Sequence, residues 1–83
     1  MNPQEGPYWV QIDNCRADIA FEQSEIAWIK PKLLQENLSP YARQIYAEML
    51  EDAEMLKGRA EMELEEWMHK HYEFVRKTEK EGA

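Results

Sequence analysis

Eighty-three residues that are 43% hydrophobic and 33% charged make one domain at most, too apolar for a disordered chain and too charged for a membrane span. A chain this short buries only about 60% of its unfolded surface, so a second chain is expected to help stabilise it. The net charge of −7 argues against free nucleic acid as a ligand, because phosphate binding needs clustered Lys and Arg and here the bases are scattered among acids; a protein partner, basic on its contact face, fits better.

Residues 1–11 read as an N-terminal arm and residues 12–83 as a helical hairpin. Met1 to Pro7 holds neither a basic segment nor a continuous apolar run, so no secretory signal or membrane anchor is expected. The single cysteine, Cys15, has no other thiol to pair with, which suits a reducing compartment, and a cytoplasmic location follows.

Ile12, Ile19, Ile26 and Leu33 recur every seven residues, with Cys15 and Ile29 on the same side. This pattern predicts a first helix over about 13–36, capped by Asp13 or Asn14. Pro31 should kink it or force a brief restart, because its ring clashes with the preceding turn and drives Lys30 from helical angles.

Asn37-Leu38-Ser39-Pro40 is the strongest punctuation in the chain. Ser at the cap followed by Pro at the first helical position is a specific start signal, although Ala42 stands where a full capping box places Glu or Gln. A second helix is expected over about 40–80, its apolar face running Ala42, Ile45, Met49, Ala53, Leu56, Ala60, Leu64, Trp67, His71, Phe74 at steps of three or four. Gly58 lies opposite that face. The alternative, in which Lys57-Gly58 caps a shorter helix and a third begins near Arg59, has to break this phase.

Folding back at residue 38 or 39 sets Leu33 against Ile45, Ile26 against Ala53 and Ile19 against Ala60, large against small, as close helix packing requires. The fold class is therefore all-α, an antiparallel helical hairpin with a long second helix. At about 1.5 Å per residue that helix reaches about 60 Å against about 35 to 40 Å for the first, so Trp67, His71, Tyr72, Phe74 and Val75 have no mate. The segment Pro7-Tyr8-Trp9-Val10, running extended across them, is the expected cover, with another chain as the alternative.

Ala17, Phe21 and Trp28 form a second apolar stripe about 200° around the first helix from Ile19 and Ile26. One mate cannot bury both faces, and aromatic rings left in water usually mark an interface. Dimerisation into a four-helix bundle, or docking on a different protein, is expected there, unless the arm or a third helix folds over it. Met55 and Met62 form a thinner stripe on the far side of the second helix, as on adaptable binding surfaces.

Signals for chemistry are sparse. Glu66-Trp67-Met68-His69 has the Glu-x-x-His spacing of carboxylate-bridged di-iron bundles, but occurs in one copy and lies off the apolar stripe, so a metal-binding bundle is a minor reading. His71 falls on the stripe and is expected to be a partly buried, hydrogen-bonded packing residue. No nucleophile with its base, phosphate loop or paired catalytic carboxylates can be assembled, so no enzymatic activity or cofactor is expected.

Residues 40–66 carry −5, eight acids against three bases, whereas residues 67–83 carry +1. Glu48, Glu51, Asp52, Glu54, Glu61, Glu63, Glu65 and Glu66 thus make the second helix acidic: either a solvated face, or carboxylates along a rod that imitate phosphates and occupy a basic groove on a target. Small phage-encoded inhibitors such as anti-CRISPR proteins share this size and charge. Phe21-Glu22-Gln23 with Leu38-Ser39 and Ala42 also resembles the helix-hairpin adaptors that mark phycobilisomes for degradation. That likeness spans about a third of the chain, is out of step by one residue and leaves the C-terminal part of the second helix without a counterpart, so it assigns no family. The first expectation is therefore a non-enzymatic protein-binding module, adaptor or regulatory subunit, and the second is an acidic inhibitor.

Overall fold

Helical periodicity accounts for nearly all of the structure. The computed structural model describes residues 6–82, with α1 spanning Trp9–Leu33 and α2 spanning Pro40–Gly82, and no strand among the described residues. The two helices pack against each other as a hairpin in a rod of 66 × 15 × 15 Å. At about 1.5 Å per residue a helix of 43 residues is about 65 Å long, so α2 alone sets the length of the molecule. None of the helices among the described residues is long and apolar enough to cross a membrane.

The first helix differs from expectation at both ends. It begins at Trp9 and not near Asp13, and neither Asp13 nor Asn14 caps it: the cap is Tyr8, without a side-chain hydrogen bond. A turn precedes it, in which the Trp9 amide donates to the Gly6 carbonyl at 3.5 Å and the Ile12 amide to the Tyr8 carbonyl at 3.0 Å. Pro7-Tyr8-Trp9-Val10 is thus turn and helix, not an extended strap. The physical reason is local: Gly6-Pro7 stops the chain, and Tyr8 lies four residues before Ile12 on the same helical face, so packing rewards an earlier start. Residues 1–5 of the expected arm lie outside the described residues.

At its other end α1 stops at Leu33, short of Glu36. Pro31 neither breaks the helix nor forces a restart, and Lys30 stays helical. The proline sits in the last turn, where losing the amide that would bond the Ala27 carbonyl removes a single rung and the chain leaves the helix anyway. Carbonyls left over there find partners: the Leu34 amide donates to Pro31 at 3.2 Å and the Gln35 amide to Lys32 at 3.3 Å. The Arg43 guanidinium reaches back from α2 to the carbonyls of Leu33 at 3.0 Å and Gln35 at 3.1 Å. At the start of α2, the Ala42 amide donates to Ser39 Oγ at 3.2 Å, the cap that the Ser-Pro pair announces.

The core is Ile12, Cys15 and Ile29 from α1 against Ala53, Ala60 and His71 from α2, with Ile19, Ile26 and Leu33 half-buried. Large residues from one helix therefore do meet small ones from the other. Ile45 does not join them and is exposed. Near the turn α2 is rotated so that the half-buried Tyr46, in edge contact with Trp28, faces α1 instead.

α2 runs unbroken through Gly58, so no third helix forms at Arg59. A Cβ built on Gly58 would meet nothing within 4 Å. Gly58→Ala should therefore stabilise the protein by about 1 kcal/mol, the helix-propensity difference, read as a raised midpoint in thermal unfolding. No gain would mean that this stretch of α2 is not a continuous helix in solution.

Candidate functional site

The second apolar stripe of α1 lies in the open. Phe21 is 61% and Trp28 53% exposed, and Ala17 beside them is exposed as well. The two rings are held from below by the buried face of their own helix, where Ile29, the neighbour of Trp28, is fully enclosed. Trp28 is also fixed sideways. Its ring centroid lies 6.0 Å from that of Tyr46 in an edge-on arrangement, and Lys32 Nζ sits 4.3 Å over its face. A cation over an indole is favourable and costs little when the lysine lies one turn along the same helix.

Between the helices these rings border a groove of about 450 Å³ lined by Phe21, Ser24, Glu25, Trp28 and Met49. Ile45 and Leu56, one turn before and two turns after Met49 on α2, are exposed but do not line it. Sequence reasoning placed Met49 in the core stripe and did not single out Tyr46 or Lys32. The spacing of Lys32 from Trp28 was a usable signal; the turn of α2 that brings up Tyr46 was not visible without the packing.

Met55 and Met62 are exposed, on α2 away from α1, and the structure does not bring them together with Phe21 and Trp28. All eight acidic residues, Glu48, Glu51, Asp52, Glu54, Glu61, Glu63, Glu65 and Glu66, are exposed along α2. Among the described residues one of them is in an ion pair, Glu61 with Lys57 at 3.9 Å, while Glu48 accepts a hydrogen bond from Gln44 at 3.4 Å.

A larger hollow of about 780 Å³ lies at the C-terminal end of α2, lined by Tyr8, Phe74 and charged residues of both signs. It contains none of the residues that the sequence marks for binding. Its lining is mostly charged, whereas the smaller groove carries two aromatic rings with Trp28 held in place, so that groove is the better candidate for recognition.

The overhang of α2 is closed by the chain itself as far as Phe74. The Tyr8 ring lies 5.7 Å from that of Trp67, Gly6 is buried against His71, and Lys70 Nζ sits 4.6 Å over Trp67. Tyr72 stays exposed. His71 departs from expectation: it is buried, and neither ring nitrogen has a hydrogen-bond partner among the described residues. The ring is enclosed by the Gly6 turn and by apolar neighbours such as Phe74, and no donor or acceptor among them is placed to bond it.

Glu66 and His69 are exposed, and His69 Nε2 lies 3.2 Å from Glu73 Oε1 one turn further along. Among the described residues no three His, Cys, Asp or Glu side chains converge as metal ligands would. Cys15 is buried, and burial raises its thiol pKa above the ordinary value of 9.0, with the carboxylates of Glu63 and Asp18 adding to the effect. The thiol is thus held protonated and inert. Because the folded value is raised, the stability it contributes is intact below the unfolded thiol's pKa and is lost as pH rises through the folded value. Alkylation of Cys15 at pH 8 should be many times slower in the native protein than in urea, and comparable rates would place the thiol outside the core.

No protein-family model matches the chain, and no curated protein or solved structure is similar enough to lend it a family.

Proposed function

We propose that this chain is a non-enzymatic, protein-binding helical module, an adaptor or regulatory subunit, whose working surface is the groove walled by Phe21, Trp28 and Met49. The observation that carries the reading is a pair of aromatic rings, each more than half exposed, on a helix whose opposite face is already buried. Covering both removes roughly 200 Å² of apolar surface, about 5 kcal/mol of transfer free energy before the costs of association. The Trp28 ring is already ordered by Tyr46 and Lys32, so less side-chain freedom is lost on docking. The four-helix bundle expected from a two-faced first helix belongs to this reading, since another helical hairpin is the shape that such a face receives. Met55 and Met62 add an adaptable contact on the far side of α2. The buried reduced cysteine suits the cytoplasm.

A second reading rests on the acidic face of α2. Eight exposed carboxylates, with one ion pair among the described residues, leave a line of charge able to occupy a basic groove on a target protein, as an inhibitor would. The two readings separate in a pull-down from lysate at low and moderate salt, with wild type and with a Phe21→Ser/Trp28→Ser variant. Docking through the groove should survive moderate salt and fall at least tenfold in the variant. A charge decoy should behave the opposite way, losing its target steeply with salt and ignoring the two substitutions.

A further inference from the structure

We infer that the groove is completed by a second copy of this chain, its α1 lying antiparallel across the first with the twofold axis near Ser24. The inference rests on the proposed reading of the Phe21–Trp28 face as a binding surface, and adds its occupant and register.

Three observations carry it. First, Val10, Asn14, Ala17, Phe21, Ser24 and Trp28 follow one another at steps of four and three, the spacing of a helix seam, with bulky Phe21 and Trp28 separated by small Ser24 and preceded by small Ala17. A twofold interface must be self-complementary, and an antiparallel pairing centred between the two rings sets each Phe21 against the partner's Trp28 over the small Ser24. Second, the charges beside the seam agree. Asp18 and Lys32 flank it on the same side, and an antiparallel twofold brings like flanks together, so this register places Asp18 of one copy opposite Lys32 of the other, twice. Third, the area suffices. A compact monomer of 9.9 kDa exposes about 5,200 Å², whereas this chain exposes 6484 Å². That excess of a rod-shaped chain, on the order of 1,000 Å² over its whole length, is enough to supply the roughly 800 Å² that each partner buries in a standard interface.

The register also makes a prediction of opposite sign. Glu25, half-buried in the groove, falls beside the axis, where it meets its own copy across the interface. Like charges there oppose association, so Glu25→Gln should tighten the dimer. A register shifted to set Trp28 on Trp28 would instead pair Glu25 with the partner's Lys32, and the same substitution would weaken it.

Sedimentation velocity of the full chain over a concentration series tests this. The wild type should dimerise, and Phe21→Ser/Trp28→Ser should weaken the dimer by a hundredfold or more. Asp18→Lys alone, or Lys32→Asp alone, should weaken it about tenfold, and the two combined should restore it. Asp18 is exposed and Lys32 is half-buried against Trp28, and neither belongs to the core, so the mutual rescue of the two reversals reads the interface and not a loss of packing. Seam substitutions that leave a dimer intact, or charge reversals that change nothing or are not mutually rescued, overturn the inference. A monomeric wild type that binds an apolar-surface dye through Phe21 and Trp28 overturns self-pairing and leaves the face free for a different protein. A monomer that binds no dye overturns both.

Discussion

Ile29→Ala should be the most damaging single truncation in the molecule, costing about 2–5 kcal/mol. A domain of this size is held by on the order of 5 kcal/mol, so the variant should be largely unfolded at 37 °C. Ile29 is 0% exposed, in a core that has few large members to share the loss. Its surroundings cannot collapse into the space. In the register that sets Ile26 against Ala53, Ile29 comes opposite the half-buried Met49 and Leu50, and closing a cavity there would require drawing a continuous helix inward. The damage should reach the groove too, because Trp28 stands on the same turn and loses the footing that fixes its ring against Tyr46. Leu34, 82% exposed, is the control: Leu34→Ala should change stability by no more than about 0.5 kcal/mol. Urea midpoints at one fixed protein concentration decide the matter, the concentration being held because any self-association adds to apparent stability. A cost below about 1 kcal/mol at Ile29 would mean that the helices do not pack in this register.

The same core shows what could be read from the residues alone. Ile12, Cys15 and Ile29 were on the predicted inner face, and Ala53 and Ala60 were matched against large partners, because a spacing of three and four leaves one solution for a hairpin whose turn is fixed by Ser39-Pro40. Exposure of Phe21 and Trp28 followed from the same arithmetic, since a stripe on the far side of α1 has nothing to meet. Ends were harder. The start of α1 depended on Tyr8 reaching Trp67, a contact between residues far apart in sequence, and a cap at Asp13 was the cheaper local answer. A proline's clash is severe in mid-helix and slight in a last turn, and the residues around Pro31 do not say which applies until α1 is seen to end at Leu33. Ile45 against Tyr46 turned on a rotation of one residue, smaller than periodicity can resolve. The shallow groove beside Met49 was out of reach for the same reason.

Gly6→Ala is the second substitution expected to act strongly, although it adds a single methyl to a residue outside both helices. A Cβ on Gly6 would lie 2.6 Å from His71 Nδ1 and 2.8 Å from Cε1, with Phe74 Cδ1 at 3.7 Å behind them. The imidazole is buried and cannot swing into solvent without uncovering Trp67 and Phe74, so the turn must lift instead. Overpacking of this kind costs about 1–3 kcal/mol. The lifted turn should also carry Tyr8 off Trp67, visible as a change in near-ultraviolet circular dichroism. Truncating the other side of the contact should relieve it: Gly6→Ala should cost far less in a His71→Ala background, and additive costs would show that the turn does not rest on the ring. His71 itself gives the complementary result. Its two nitrogens have no partner among the described residues, so the ring brings polar atoms into the core without compensation. His71→Leu, close in volume and free of polar atoms, should therefore be neutral or stabilising by about 1–3 kcal/mol, whereas a marked loss would mean that the ring makes a hydrogen bond in solution. A glycine that admits a ring so closely lets this short turn pack over the α2 overhang at Trp67 and His71, while the groove walled by Phe21, Trp28 and Met49 stays open.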